Sequence, residues 1–178
     1  SPCGFTSRKT YSPDGVTTSI ADNTNAISLP FQSAASPYPS SNSVSGRSGV
    51  ITKVTLTLKG LNHTASQDMN VLLVGPGGQK AVLWANASGG TTTDSTITLD
   101  DAAAYALPPL GYAVPSGAYQ PKDNGHGVFP APAPGESYAA NLAAFNGTDP
   151  NGDWLLFIYN KPTGTGSGSI TRGWSVAI

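Results

Sequence analysis

Between Asn62 and Val74 the chain reads N-H-T-A-S-Q-D-M-N-V-L-L-V, which gathers His63, Thr64, Asp68 and Asn70 into one short polar run. Asp68 and Asn70 are two apart and so share one side of an extended chain. There they are candidate oxygen ligands for a hard cation such as Ca2+. A second reading gives His63, Thr64 and Asp68 to the turn backbone, as hydrogen-bond partners that fix the register of the flanking strands. The residues leave both readings open. Asp100 and Asp101 offer further carboxylates to such an ion, and they also suit the N-cap of a helical turn over 102–104.

Chemistry that turns over a substrate has little to work with. The histidines are His63 and His126, and His126 lies in Asp123-Asn124-Gly125-His126-Gly127, which reads as an exposed turn. No G-x-S-x-G elbow and no subtilase-type serine context is present. Two isolated histidines with a single distant cysteine, Cys3, make no zinc set. Glu136 and the aspartates show no spacing that singles out an acid and a base. Asp149-Pro150-Asn151-Gly152-Asp153 starts like a calcium loop, but its sixth position is Trp154 and its twelfth Asn160. It reads as a tight turn leading into a strand. The sequence therefore predicts a chain that is not itself an enzyme. Among the aromatics, Trp154 and Trp174 sit beside apolar residues as core anchors. Trp84, Tyr112, Tyr119 and Phe129 are looser, and Tyr112 and Tyr119 would be the contact residues of a carbohydrate- or cell-surface-binding module.

The elements that position these residues are mostly strands. In Val50–Leu58 the apolar Val54, Leu56 and Leu58 alternate with polar neighbours, the period of a half-buried strand. Val71–Val74 is continuously apolar and reads as a strand buried on both faces, stopped by Gly75-Pro76-Gly77-Gly78. Further strands are predicted over Asn25–Phe31, Gln79–Trp84, Ser95–Leu99, Trp154–Tyr159 and Ile170–Ile178, with a helical turn within Tyr138–Phe145 that faces Leu142 and Phe145 inward. Ser33–Gly49 reads as a long surface loop, Lys161–Ser169 as a flexible turn, and residues 1–18 as a poorly ordered lead-in. The Pro-rich middle, Leu107–Gly135, cannot join a central strand and should cross the surface. At 178 residues, with 21 glycines, 15 prolines and 11% charged residues against about a quarter in an average soluble protein, the chain reads as one turn-rich all-β domain. A net charge of -1 with no basic cluster argues against nucleic acid and anionic membranes as partners. No apolar run is long enough for a spanning helix. One cysteine excludes an internal disulfide, and the low charge with Thr/Ser-rich surfaces points to an extracellular or cell-surface location.

Three separated motifs then carry a resemblance. Ser19-Ile20-Ala21-Asp22-Asn23 is similar to an opening S-I-P-D-N. His63-Thr64…Asp68, its strand and its Gly/Pro stop are similar to H-T-x-x-x-D-[LI]-x-[VI]-x-L-x-[SG]-P-x-G. Asn151-Gly152-Asp153-Trp154-Leu155-Leu156 and Gly168-Ser169-Ile170…Trp174-Ser175-Val176 are close to N-G-x-W-x-L and G-x-[IL]-x-x-W-x-[LV]. Over roughly 19–178 the chain resembles the P domain (P/Homo B domain) that follows the catalytic domain of subtilisin-like proprotein convertases and occurs in bacterial secreted proteins. The resemblance implies a jelly-roll antiparallel β-sandwich of the galactose-binding-like kind that is not itself catalytic. It further implies a partner within the parent polypeptide, such as a subtilase catalytic domain, which the domain packs on and stabilises. Related bacterial domains often carry a second Asp where this chain has Asn70 and another near Asn86, so the amides here weaken any calcium site.

Overall fold

Two kinds of strand build the molecule, one apolar on a single face and one apolar on both. The computed structural model describes residues 8–11 and 17–178, with side chains from Thr17 onward. Cys3 lies outside the described residues, as does most of the expected lead-in. The strands are β1 (Arg8–Tyr11), β2 (Thr17–Asn23), β3 (Ile27–Leu29), β4 (Ser40–Val44), β5 (Thr55–His63), β6 (Met69–Val74), β7 (Lys80–Ala85), β8 (Thr92–Leu99), β9 (Gly117–Tyr119), β10 (Lys122–Asp123), β11 (Gly152–Asn160), β12 (Gly168–Ile170) and β13 (Trp174–Ala177). Short 3-10 turns at Ser66–Asp68 and Leu142–Phe145 are the helical elements among the described residues. The chain is all-β, a sandwich of curled, mainly antiparallel sheets, as its composition predicts.

The first sheet is organised on β5. Its first half pairs with β13 (Leu58 opposite Trp174) and its second half with β12 (Leu61 opposite Ile170), while β8 pairs with its other edge. The expected strand over Ile170–Ile178 is thus two strands divided by a bulge at 171–173. Gly60 makes that bulge: its φ of +72° is left-handed, and any Cβ would strike the Thr171 hydroxyl. Outside β13 lie β2 and then β1, and outside β12 lies β3. Inward residues Leu56, Leu58, Leu61, Ile97, Leu99, Trp174 and Val176 are fully excluded from water.

The second sheet runs β10-β7-β6-β11-β4 and is apolar on both faces. Val71, Leu73, Leu83, Trp84, Trp154, Leu156 and Ile158 fill the space between the sheets. Their alternates Leu72, Val74, Val82, Phe157 and Tyr159 form a second core on the outer face. The expected double-sided burial of Val71–Val74 follows from this arrangement. The Pro-rich middle roofs the outer core, with Phe129 buried beneath it at 5% exposure and Ala133 and Tyr138 packed beside it. Its residues 117–123 first add β9 in parallel to β8, then β10 in parallel to β7, so one segment closes the same side of both sheets.

Three expectations are corrected. Ser33–Gly49 contains β4, which pairs antiparallel with β11 and buries Ser40, Asn42 and Val44 in alternation. Two of its three inward side chains, Ser40 and Asn42, are polar, so hydrophobic periodicity missed it. The Ser40 hydroxyl accepts the Trp174 indole N–H at 2.8 Å, and Asn42 donates to the Ala21 and Trp174 carbonyls. Part of the supposed lead-in is also strand, since β1 pairs antiparallel with the start of β2. Asp100 and Asp101, lastly, open no helix. Asp100 receives the Ala102 amide in a tight turn, and Asp101 reaches across the chain to accept the Leu142 and Ala143 amides at 3.0 and 2.8 Å. It caps a 3-10 turn some forty positions away, a link that local sequence does not carry.

Truncation of the roof should expose its importance. Phe129→Ala is expected to cost about 3–4 kcal/mol in urea unfolding, whereas Val128→Ala, at an 89% exposed neighbour, should change stability by less than about 0.5 kcal/mol.

Candidate functional site

β5 ends at His63 in the first sheet and β11 ends at Asn160 in the second, and the two side chains meet between them. Both are 2% exposed. His63 Nδ1 accepts the Ala65 amide at 3.1 Å, which leaves the ring proton on Nε2 to donate to Asn160 Oδ1 at 2.9 Å. The Asn160 amide group then donates to the Leu29 and Pro30 carbonyls at the end of β3. Burial holds the His63 pKa below its ordinary value, against the opposing pull of Asn160 and the Asp68 charge. A neutral imidazole is what this bonding pattern requires.

Asp68 completes the knot from the start of β6. Its Oδ2 accepts the Thr165 and Gly166 amides at 2.7 and 2.8 Å, while Oδ1 faces the Lys161 ammonium at 3.6 Å. Thr64 adds a reciprocal pair with Ser167: each contributes a backbone amide, one to the Ser167 carbonyl and one to the Thr64 hydroxyl. Gln32 donates to the Gly164 carbonyl. The segment expected to be a flexible turn, Lys161–Ser169, is therefore pinned along most of its length. Its glycines permit the approach, because a Cβ on Gly164 would lie 2.7 Å from the Asp68 carboxyl carbon and one on Gly166 would lie 2.8 Å from His63 Cε1.

The four residues considered as calcium ligands occupy different places. Asp68 and Asn70 share the knot, but Asn70 turns its amide donor toward the Asp68 carbonyl at 3.2 Å. Asp100 is paired with Lys53 at 2.8 Å, and Asp101 caps the 3-10 turn. Asp68 already accepts two backbone amides on Oδ2 and has a lysine ammonium facing Oδ1, where a metal would need free lone pairs. The set does not fit one cation, and among the described residues no three His, Cys, Asp or Glu side chains gather into a metal site.

The other predicted residues separate by burial. Trp154, Trp174 and also Trp84 are wholly buried, with the Trp154 indole donating to Pro150 O and the Trp84 indole to Ala87 O. Tyr119 packs against the core and donates its hydroxyl to Pro115 O, whereas Tyr112 is 65% exposed.

Sequence reading missed a second histidine cluster. His126 is not a free turn residue: Nδ1 meets Asp123 Oδ2 at 2.5 Å and Nε2 meets Glu136 Oε1 at 2.9 Å. Phe129 and Tyr138 pack around the ring, and Gly127 lies against the Tyr159 hydroxyl with no room for a Cβ. The histidine thus ties one end of the Pro-rich roof to the other. Burial acts to lower its pKa, but the hydrogen bonds and charges of Glu136 and Asp123 outweigh that and raise it. The signal in the sequence was Asp123 three residues before His126, too common a spacing to be read alone.

With this geometry in hand, comparison with known proteins adds little. No family model matches the chain, and no curated protein matches it. Among solved structures, a complex of the Aeromonas sobria serine protease with its chaperone aligns over 98% of this chain, at 10% identity and a TM-score of 0.41. The chain spans about a quarter of that protein's length, 26%. A likeness this distant establishes neither family nor function.

Two outcomes are expected at these clusters. Asn160→Ala leaves a buried imidazole N–H and two carbonyls without partners, and should lower the unfolding free energy by about 2–4 kcal/mol in a urea titration. For His126 the folded pKa is raised, so its stabilising contribution is complete below the ordinary histidine value and is lost as pH rises through the folded one. The thermal midpoint of the wild type minus that of His126→Gln should be largest at pH below the ordinary histidine value and should shrink as pH rises past it. A pH-independent difference would contradict the clamp. His63, with its lowered pKa, contributes with the opposite sign, and the subtraction removes it.

Proposed function

We propose that the chain is a non-catalytic accessory domain of a secreted or cell-surface protein, whose work is to pack on a larger region of its parent polypeptide and stabilise it. The observation that carries this reading is the commitment of its reactive-looking groups. His63, Thr64, Asp68 and Asn160 each hold backbone or one another, which supports a structural role for this motif. The order of the three sequence motifs supports a subtilisin-like catalytic domain as the partner region. A surface suited to such packing lies on the crossover between β8 and β9, where Tyr105, Leu110 and Tyr112 are 74%, 62% and 65% exposed.

The direct experiment mixes the domain with the remainder of its parent polypeptide and follows the thermal midpoint of that remainder. Stabilisation by the wild type, weakened by Leu110→Ser with Tyr105→Ser, is the expected outcome. No effect on the remainder, with no co-purification, would sink the reading. The second reading, a carbohydrate- or cell-surface-binding module, is favoured by the exposure of Tyr112, although Tyr119 is held to the core and lends no free face. Specific binding on a glycan array that Tyr112→Ala abolishes would put it first.

A further inference from the structure

One contact in the knot concerns a cation that the chain supplies itself. Lys161 follows Asn160 out of β11, and the register that sets Asn160 opposite Met69 carries it beside Asp68, whose carbonyl accepts the Lys161 amide at 2.9 Å. The side chain then places its ammonium 2.8 Å from Asn86 Oδ1 and 3.6 Å from Asp68 Oδ1. Asn86 comes from the turn after β7, so oxygens from two separate segments converge on the ammonium. The remaining Asn86 groups are fixed as well: its amide donates to the Gly125 carbonyl, and its carbonyl accepts from Asn124.

We propose that the Lys161 ammonium is a tethered cation that takes the place of a bound metal ion at the Asp68 turn, so that the turn closes without calcium. Charge balance supports this assignment. Asp68, with a side chain 3% exposed, brings one negative charge, and the ammonium neutralises it. A divalent ion with this single carboxylate would leave an excess positive charge in a site from which water is largely excluded. Geometry agrees, since the second Asp68 oxygen is already held by two amides and the neighbouring Asn70 presents a donor instead of an oxygen. A covalently attached ammonium also loses less entropy on ordering than a free ion does, because its backbone is pinned to Asp68 in any case.

The test is thermal unfolding of the whole chain in millimolar Ca2+ and in EDTA, for the wild type, Lys161→Met and Lys161→Arg. Methionine keeps the apolar stem and removes the charge; arginine keeps the charge. The wild-type midpoint should be the same in both buffers. Lys161→Met should melt about 5–10 °C lower in both, and Lys161→Arg should lose less than half of that. A wild-type midpoint that rises in Ca2+ and falls in EDTA overturns the proposal, as does a methionine variant that melts with the wild type. Neither result depends on a partner, so the outcome is separate from that of the accessory role.

Discussion

The hydrogen bond from His63 to Asn160 is the constraint on which the rest of the molecule hangs. Sandwich sheets are normally held by side-chain packing alone, which fixes their separation better than their register. Here an imidazole from one sheet and an amide from the other are joined in the dry space between them, and the same amide reaches the carbonyls of Leu29 and Pro30. Displacing either sheet along its strands leaves several buried polar groups unpaired together, each at a cost of about 1–3 kcal/mol. The pair therefore converts a tolerant apolar interface into a single alignment. Asp68 and Thr64 extend that alignment to the loop that leads from β11 to β12, and so to the strand carrying Trp174.

A second constraint follows from the central strands. Because β6, β7 and β11 are apolar on both faces, the second sheet cannot stand with one face in water, and a two-layer sandwich leaves its outer face bare. The chain answers with the Pro-rich middle. Proline cannot donate to a ladder, so apart from the short edge strands β9 and β10 the segment lies over Leu72, Val82 and Phe157 without joining the sheet it covers. It has few regular hydrogen bonds of its own, and its ends are tied by His126 between Asp123 and Glu136, with Tyr138 Oη donating to Pro134 O and Tyr38 Oη to Pro130 O. The roof is thus held by side chains, and its histidine tie weakens as pH rises.

How much of this could be read from the residues depends on the range over which each interaction acts. Alternation in Val50–Leu58 and the apolar run of Val71–Val74 are local signals: the second lies within β6, while the first marks β5 but starts too early and stops before His63, where the polar Lys59, Asn62 and His63 end the alternation. The 3-10 turn at Leu142–Phe145, with both terminal residues buried, was legible for the same reason. β4 was not, because its inward residues are Ser40 and Asn42, chosen to satisfy Trp174 and Ala21 instead of to be apolar. Asp101 and His126 were misread in a similar way. Asp101 holds Leu142 and Ala143, and His126 holds Glu136 besides the nearby Asp123; the distant partners are set by the fold and not by the window around either residue. The candidate site was half legible: its residues stand out as a group, but the assignment of Asp68 to the 161–168 segment needs Gly164 and Gly166, which in sequence resemble any flexible linker.

That partial legibility explains why a histidine, a threonine and an aspartate in one turn can look like chemistry and act as architecture. The groups that make good acids, bases and ligands are also those that best satisfy orphaned backbone amides, since both tasks need an accessible lone pair or a strong donor. Type and spacing cannot separate the two uses. The partners in the fold show what each group holds here: both His63 nitrogens are engaged, and Asp68 accepts two amides and faces an ammonium. His126, bonded on both nitrogens at a partly exposed position, fastens the roof in the same way, with a strength that varies with pH, and the exposed aromatic and aliphatic side chains of the 105–112 loop stand apart from both clusters.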